Sequence, residues 1–288
     1  MKKLKYALIG CGRIAPNHIA AAIAQADRLE LSAVCDLEPE RCEALLEPLS
    51  ELENHKVKRY QDYKRMLSEV TPDLIAIATE SGEHAKIAVE CIEAGCNVII
   101  EKPIALSLAD ADAILAAARA KGVKVCACHQ NRFNKSIQKI HSAIEEDLFG
   151  RLMHGTAHIR WNRGQSYYQQ AAWRGTWAQD GGCLMNQCIH NIDLLRWMMG
   201  DEVDEVFAYT DQLAHPYLEA EDLGIALVKF SNGAYGVIEG TTNVYPRNLE
   251  ETLYLFGEKG TVKAVSYTHL IGKKRWLIAK MPEYYLTI

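Results

Sequence analysis

The first stretch of this sequence that could do chemistry is Gly10-Cys11-Gly12-Arg13-Ile14-Ala15, which directly follows an apolar run and precedes a helical pattern. Small residues at those positions permit a tight turn, a close approach of the backbone to a pyrophosphate, and close packing of helix against strand. The N-terminus of the helix would then face the anion. The stretch predicts a dinucleotide site, and a glycine turn without a ligand is the alternative.

An acidic residue narrows the choice of dinucleotide. Asp36 ends the second apolar run, 26 residues after Gly10. A carboxylate at the end of that strand accepts hydrogen bonds from both hydroxyls of an adenosine ribose and repels a 2′-phosphate. Asp36 therefore predicts NAD rather than NADP. A solvated strand-end carboxylate is the alternative, and the nearby Arg41 leaves NADP open.

The second stretch is Glu101-Lys102-Pro103, which comes directly after another apolar run. The carboxyl edge of a parallel sheet is where open α/β folds bind their ligands. Lys102 is therefore well placed to meet a substrate, and a surface lysine is the alternative.

The third stretch is a helix predicted for residues 183–199. Four of its side chains recur at positions i, i+4, i+7 and i+11, which predicts that they share one face. They are Asn186, His190, Asp193 and Trp197. A helix histidine that only packs is the alternative for His190.

The elements around these stretches follow two patterns. In the first 125 residues, short apolar runs alternate with helical patterns, which is typical of βαβ units and of a parallel sheet covered on both faces. After about residue 130, polar and apolar residues alternate and aromatic residues are frequent, which predicts an antiparallel sheet with a hairpin turn at Ser231-Asn232-Gly233. We predict an α/β Rossmann domain with a doubly wound parallel sheet at 1–125. An α+β domain with a largely antiparallel open sheet is predicted at 126–288.

Composition and charge exclude several classes of protein. A chain of 288 residues suggests two domains at about 150 residues each, and 49% hydrophobic with 24% charged residues is ordinary for globular proteins. The net charge is −5 and no basic block is present, so nucleic acid is not expected as a partner. The sequence contains no run of about 18 apolar residues, so no membrane span is predicted. The nine cysteines lack zinc-knuckle or redox-pair spacing, so we expect no metal site, reduced thiols and a cytoplasmic location.

Together these motifs resemble the Gfo/Idh/MocA oxidoreductases, which carry a glycine fingerprint, an E-K-P motif and a later G-G-x…H-x-x-D helix. The resemblance covers about residues 4–264. Within the family, the chain is most similar to dehydrogenases that act at C3 of UDP-N-acetylglucosaminuronic acid or related UDP-sugars. The stretches that carry this similarity are Ser81-Gly82-Glu83-His84, Gln130-Asn131-Arg132-Phe133-Asn134, Trp173-Arg174-Gly175-Thr176-Trp177, Asp180-Gly181-Gly182-Cys183 and Asn186-Gln187-x-Ile189-His190-x-x-Asp193.

The resemblance implies an NAD-dependent oxidoreductase that transfers hydride from a sugar carbon, C3 of a UDP-N-acetylhexosamine or its uronate, to nicotinamide. Lys102 and His190 are the implied catalytic pair, because a lysine or a histidine near neutrality can take the hydroxyl proton. The implied cofactor-binding residues are Gly10, Gly12, Arg13, Ile14, Asp36, Thr79, Ser81, His84, Glu101, Lys102 and Gln130. The implied substrate-binding residues are Lys102, Arg132, Trp173, Arg174, Asn186, Gln187 and His190. Asn186 departs from the family, since many relatives have an aspartate there.

Three other functions stay open at this point. They are a dehydrogenase of a free sugar or inositol, an NAD-dependent glycosidase that oxidises C3 transiently, and a regulator that binds a dinucleotide without catalysis. The aromatic, alternating strands leave one sheet face to be covered, which predicts a homodimer or homotetramer. The match to the family is lost after about residue 265, where residues 266–288 show no clear periodicity.

Overall fold

The computed structural model describes residues 2–52, 57–200, 202–266, 277–279 and 285–287. The chain divides into two compact units, Met1–Cys128 and His129–Ile288. Most of the C-terminal stretch that lacks a clear periodicity lies outside the described residues. Within the described part, no helix is both long enough and apolar enough to cross a membrane.

The first unit contains one parallel sheet, which confirms the predicted doubly wound architecture. Its strands are β1 (Leu4–Ile9), β2 (Leu29–Cys35), β3 (Lys58–Tyr60), β4 (Leu74–Ile77), β5 (Asn97–Ile100) and β6 (Val125–Ala127). All neighbouring strands pair in parallel, in the order β3-β2-β1-β4-β5-β6. The chain reverses direction across the sheet between β1 and β4, and that switch point is where such sheets bind ligands.

Among the described residues, five α-helices cover this sheet. They are α1 (Ala15–Ala24), α2 (Pro39–Leu46), α3 (Tyr63–Val70), α4 (His84–Glu93) and α5 (Leu108–Lys121), with 3₁₀ turns at Glu47–Leu52 and Ser81–Glu83. The ends of α5 follow from local chemistry. The Ser107 hydroxyl accepts a hydrogen bond from the Asp110 N–H at 3.1 Å, and Gly122 ends the helix in the left-handed conformation.

Successive residues of β1 enter two separate cores. Tyr6 and Leu8 pack with residues of α1 and α2, whereas Ala7 and Ile9 pack on the opposite face with residues of α3, α4 and α5. A strand buried on both faces needs apolar residues at every position rather than at alternate ones. The run Tyr6-Ala7-Leu8-Ile9 meets that requirement, which is why the sequence predicted the strand.

The second unit contains one mixed sheet, and its antiparallel character was predicted. Its strands are β7 (Leu152–Arg160), β8 (Val203–Asp211), β9 (Leu223–Phe230), β10 (Tyr235–Thr241), β11 (Glu250–Gly257), β12 (Thr261–Ser266), β13 (Leu277–Ala279) and β14 (Tyr285–Thr287). They are ordered β14-β13-β12-β11-β7-β10-β9-β8, and only β7 and β10 pair in parallel among these described strands. The predicted hairpin turn joins β9 to β10, with Gly233 at φ +83°.

One helix of this unit differs from its prediction. The described α-helices are α6 (Lys135–Glu145), α7 (Gln165–Tyr168) and α8 (Ile189–Met199). A 3₁₀ turn at Gln130–Phe133 precedes α6, and a π-helical turn at Leu184–Cys188 precedes α8. The helix predicted for 183–199 is therefore not α-helical throughout. A π turn holds more residues than an α turn, so the i, i+4 spacing that related Asn186 to His190 does not apply across it.

Helix α8 packs tightly against one face of the mixed sheet. Leu194, Leu195 and Met198 are almost fully buried in the core of this unit. Gly155 of β7 allows this approach, because a Cβ at that position would lie 2.8 Å from a Leu195 methyl carbon. The glycine in the middle of the strand therefore sets how closely helix and sheet can pack.

The opposite face of β8, β9 and β10 is apolar and exposed in the single chain. Phe207 and Tyr209 of β8 lie directly across from Leu227 and Ile225 of β9. These four side chains and Tyr235 are each between 47% and 73% exposed. We refer to these five residues as the open face.

A buried carboxylate fixes the loop that follows β8. Asp222 is fully buried and accepts hydrogen bonds from the backbone N–H groups of Leu213, Ala214 and His215, each at 2.9 Å. The His215 ring and the Asn243 amide also contact it at 2.9 Å. Burial opposes ionisation of Asp222, but these hydrogen bonds outweigh it and hold the pKa of the carboxyl below its usual range.

Replacing Asp222 by asparagine is expected to lower the free energy of unfolding by about 1–3 kcal/mol at pH 7, because an amide has fewer acceptor sites and leaves buried N–H groups unpaired. A folded-state pKa below the unfolded value of about 3.9 stabilises the protein above that pH, and the contribution is lost as the pH falls through the folded-state pKa. The difference between variant and native protein should therefore shrink below about pH 4. Urea unfolding at several pH values measures it. Asp211→Asn, at an exposed position, is the control, and equal stability at pH 7 would contradict the expectation.

Candidate active site

The glycine loop begins with a residue that no other amino acid can replace without strain. Gly10 follows β1 and has φ +93°, and a Cβ there would lie 2.5 Å from the carbonyl oxygen of Ala78. The same Cβ would lie 2.8 Å from the backbone nitrogen of Thr79. The loop after β1 is thus pressed against the loop after β4, at the switch point of the sheet.

Gly12 faces open space instead. A Cβ at Gly12 would meet no atom within 4 Å. The helix α1 that follows has no side-chain cap on its N-terminus and no acidic residue in its first turn. Backbone N–H groups at such a helix end favour an anion. The geometry of the loop is compatible with a pyrophosphate, and the assignment of Gly12, Arg13 and Ile14 to NAD stays a prediction.

Asp36 follows β2 and holds the glycine loop from the other side. One oxygen of its carboxylate accepts a hydrogen bond from the Cys11 N–H at 2.7 Å, and the other accepts one from the Glu38 N–H at 3.0 Å. The side chain is partly exposed, so a ligand hydroxyl can still reach it. Arg41, which left NADP open, forms an exposed ion pair with Glu38 at 2.8 Å.

His84 connects the loops after β4 and β5. Its ring is almost completely buried, with Nδ1 2.7 Å from the carbonyl oxygen of Pro103 and Nε2 3.1 Å from that of Thr79. Burial lowers the pKa of His84, although the two carbonyls act in the opposite direction. Ser81 is buried in the 3₁₀ turn between these residues. His84 therefore positions the chain beside Lys102 rather than facing solvent.

Glu101 contacts both a histidine and the lysine that follows it. Its Oε1 lies 2.9 Å from Nε2 of His18 on α1, and its Oε2 accepts a hydrogen bond from the Lys102 N–H at 3.3 Å. Burial raises the pKa of Glu101, but His18 and Lys102 outweigh it, so the net shift is downward. The Lys102–Pro103 peptide is cis. Sequence reasoning missed His18, although it lies one helical turn after Ile14 on the helix that the glycine loop opens.

Two cofactor candidates differ in placement from the rest. Arg13 is exposed on the glycine loop, and Gln130 is exposed in the 3₁₀ turn of the second unit. All the predicted cofactor residues except Gln130 lie in the first unit.

In the second unit, the Asp193 carboxylate of α8 is at the centre of one group of contacts. It receives two hydrogen bonds from the Arg132 guanidinium, at 2.7 and 2.5 Å. Arg132 also lies over the Trp197 ring, 5.0 Å from its centroid. The His129 ring is 3.6 Å from the Asp193 carboxylate and meets the His190 ring edge-on, with 6.1 Å between centroids. Asp193 therefore contacts Arg132 and His129 directly, and His190 joins this group through the His129 ring.

A second group surrounds Asn186 in the π turn. Its amide donates a hydrogen bond to Asp180, whose other oxygen accepts one from the Gly175 N–H at 2.7 Å. The Gln187 amide donates to Asn186 at 2.7 Å and to the Tyr167 hydroxyl at 2.8 Å. An acidic residue therefore does lie beside Asn186. This residue is Asp180, six positions earlier in the chain. Asp180 belongs to a stretch that carries the family resemblance, but no role was predicted for it.

Arginine and aromatic side chains extend this second group. Arg174 donates to the Tyr167 hydroxyl at 2.6 Å, and its guanidinium lies over the rings of Tyr167 and Trp173 at 4.4 and 4.6 Å. Among the described residues, Nε of Arg174 has no acceptor. Arg163 donates to Gln187 at 2.9 Å. We call Tyr167, Arg163, Arg174, Asn186 and Gln187 the arginine network.

Comparison with known families identifies the class of protein. Residues 4–129 match the family described as "Oxidoreductase family, NAD-binding Rossmann fold", and residues 137–263 match the "GFO/IDH/MocA C-terminal domain". The chain belongs to the GFO/IDH/MocA oxidoreductases. Its first unit is their NAD-binding Rossmann domain, and NAD is the cofactor that its glycine loop and Asp36 fit.

Individual relatives extend the comparison. The WlbA dehydrogenase from Bordetella pertussis, crystallised with NADH and UDP-GlcNAcA, is 39% identical, with a TM-score of 0.86 over 92% of this chain and 79% of that one. The WlbA dehydrogenase from Chromobacterium violaceum, in the same type of complex, is 36% identical, with a TM-score of 0.87 over 99% of this chain and 79% of that one. Myo-inositol 2-dehydrogenase of Thermotoga maritima is 27% identical over 267 residues, 91% of this chain and 75% of its own length.

Alanine at the two loop glycines should separate folding from cofactor binding. Gly10→Ala is expected to lower the free energy of unfolding by about 1–3 kcal/mol, since its Cβ meets a backbone carbonyl at a strained φ. Gly12→Ala should leave stability nearly unchanged but weaken NADH binding about tenfold or more, because the added methyl group fills the space that the pyrophosphate needs. Urea unfolding and NADH fluorescence titration measure the two effects. Equal behaviour of the two variants would contradict this assignment.

Proposed function

We propose that this protein oxidises C3 of a UDP-N-acetylhexosamine or its uronate and transfers the hydride to NAD. The arginine network carries this proposal. It is supported by the 36–39% identity to two dehydrogenases whose structures contain NADH and UDP-GlcNAcA.

The charge of the substrate is the reason that the arginine network favours a nucleotide sugar. Guanidinium groups bind phosphate and carboxylate oxygens through paired hydrogen bonds. Arg174 is held between two aromatic rings and keeps donor capacity that no described residue uses. A diphosphate or uronate supplies the oxygens that such a donor needs, whereas a free sugar or inositol has no charge to match.

Two side chains are proposed to handle the hydroxyl proton. NAD, when bound, supplies the acceptor for the hydride. In one assignment, Lys102 holds the substrate hydroxyl through its ammonium group and His190 accepts the proton as general base. In the other, the roles are reversed, and Lys102 accepts the proton as a neutral amine while His190 holds the hydroxyl. Glu101 orients the backbone of Lys102. Asp193 of α8 contacts Arg132 and His129, and the His129 ring meets the His190 ring.

An uncharged polyol is the second candidate substrate. The similarity to a myo-inositol 2-dehydrogenase over 91% of the chain favours it, although at 27% identity. Under this alternative the proton chemistry of Lys102 and His190 stays the same. Only the role of the arginine network changes.

A substrate panel tests the proposed function directly. Mass spectrometry of the purified protein first identifies any retained cofactor, and UDP-sugars, free sugars and inositols are then monitored for NADH and for a 3-keto product. Oxidation of UDP-sugars alone, with KM raised in Arg174→Gln, is the expected result. Oxidation of uncharged polyols alone supports the second candidate. Glycoside cleavage without net NADH would indicate the glycosidase, and binding without turnover would indicate a regulator.

Replacing Lys102 by methionine keeps most of the side-chain volume but removes the ammonium group. Cofactor affinity should change little, while the hydride step slows by about 10²-fold or more. His190→Asn should behave similarly, and the double variant should lose less than the product of the single losses. Single-turnover reduction of NAD with the sugar found in the panel measures the step. Lys124→Met, an exposed lysine near β6, is the control, and an unchanged rate in Lys102→Met would remove Lys102 from the mechanism.

Cofactor preference should depend on the charge of Asp36. The native protein is expected to bind NADH more tightly than NADPH, and Asp36→Asn should narrow the ratio by about tenfold, or about 1.4 kcal/mol. Asparagine keeps an oxygen for the Cys11 N–H, so the loop should stay in place. Glu40→Gln removes one exposed carboxylate from the first turn of α2 and is the control for net charge. Tighter binding of NADPH by the native protein would contradict the role given to Asp36.

The open face is proposed to pair with a second copy of the chain. An apolar, aromatic surface on three adjacent strands is unusual for a face that remains in water, and a two-fold contact would cover it on both copies at once. Sedimentation at micromolar concentration should show a dimer or tetramer, and Leu227→Asp should shift it toward monomer. Leu108→Asp, at an exposed leucine of α5, is the control. A native protein that is only monomeric would refute this proposal.

A further inference from the structure

Three side chains of the first unit form a cluster, and two of them, His18 and Cys128, have no role in the proposed reaction. One ring nitrogen of His18, a carboxylate oxygen of Glu101 and Sγ of Cys128 all lie within 4.8 Å of one another. They come from α1, from the end of β5 and from the end of β6, and each is partly buried. Histidine, carboxylate and thiolate are the three ligand types that proteins use for zinc.

The separations fit one ion with small adjustments. Tetrahedral zinc with bonds of about 2.0–2.3 Å requires neighbouring ligand atoms about 3.3–3.7 Å apart. The His18–Glu101 pair, at 2.9 Å, is slightly closer than this, and the upper bound of 4.8 Å for the cluster is wider. Side-chain movements of less than about 1 Å would therefore bring all three atoms onto one ion.

We propose that His18, Glu101 and Cys128 bind a zinc ion, with the fourth coordination position left open. The imidazole and the sulfur select zinc over magnesium or calcium, which prefer oxygen ligands. The sequence did not indicate this site because its ligands are separated by 83 and 27 positions.

Zinc binding exchanges one proton and two hydrogen bonds for metal contacts. The Cys128 thiol loses its proton to solvent as the zinc–sulfur bond forms, and no electron is transferred. Burial and the neighbouring Glu101 raise the pKa of Cys128 to about 12, so the metal has to displace this proton. The contact between His18 and Glu101 is broken at the same time. Because Glu101 adjoins Lys102, the occupied site is expected to slow the proposed reaction.

Cobalt(II) is the probe for the site, because a cobalt–thiolate bond gives charge-transfer absorption in the near ultraviolet and tetrahedral cobalt gives intense visible bands. Both signals should appear at one equivalent in the full-length, reduced protein, and zinc should remove them. Cys128→Ser should lose the charge-transfer band. His18→Gln removes a direct ligand and should weaken binding by more than the roughly 10–100-fold that loss of an outer-shell partner costs. Cys126→Ser, an exposed cysteine two positions earlier, should behave as the native protein.

Three results would overturn the zinc site. They are the absence of both cobalt signals, a charge-transfer band that survives in Cys128→Ser, and its loss in Cys126→Ser. Circular dichroism of each variant confirms that the fold is retained, and the His18→Gln titration decides if Cys128→Ser does not fold. Inhibition of turnover by zinc, present in native protein and absent in Cys128→Ser, rests on the proposed function. The cobalt spectra do not, so the two can fail separately.

Discussion

The backbone contact between Gly10 and the loop after β4 is the constraint on which the first unit depends. The Gly10 N–H donates to the Cys35 carbonyl at the end of β2, and the Ala78 N–H donates to the Ile9 carbonyl at the end of β1. Three strands thus end in one hydrogen-bonded group. A side chain at Gly10 would separate β1 from β4 at the point where the sheet changes direction. Because the contact is made by backbone atoms, it leaves the carboxyl edge open for the polar side chains around it.

Histidines then tie the loops of this edge to one another. His84 connects the loop after β4 to Pro103, and His18 connects the helix of the glycine loop to Glu101. Lys102 lies between these two attachments in the chain. Both neighbours of Lys102 in the chain are therefore held by histidines of other elements, which limits how far this segment can move. The second unit uses a carboxylate for the same purpose, since Asp193 collects Arg132 and His129 near His190.

The sequence predicted the features that depend on neighbouring residues. A few neighbouring residues are enough to recognise each of them: the buried run at β1, the motif at Gly10 and Gly12, and the position of Asp36 at the end of a strand. Strand β3 gave no such signal, because it has three residues and two of them are exposed and charged. Helix α6 was missed although Ile137, Ile140 and Ile144 follow helical spacing.

Contacts between distant residues could not be inferred in the same way. His18 meets Glu101 across 83 positions, and only the order of the strands brings them together. Asp180 contacts Asn186 in the π turn that precedes α8, and no periodicity in the sequence marks where a helix takes an extra residue. The family resemblance supplied the residues of the second unit, whereas their partners had to come from the structure.

The carboxylate of Asp36 has two roles, one in the conformation of the glycine loop and one in the choice of cofactor. A substitution at this position therefore affects both. The oxygen that accepts the Cys11 N–H fixes the backbone that a pyrophosphate would contact, and the same side chain is the group that would distinguish a ribose hydroxyl from a phosphate. A change of cofactor therefore has to remove the charge and keep an acceptor for the Cys11 N–H. Asparagine at position 36 meets both conditions, whereas alanine would remove the charge and also release the loop.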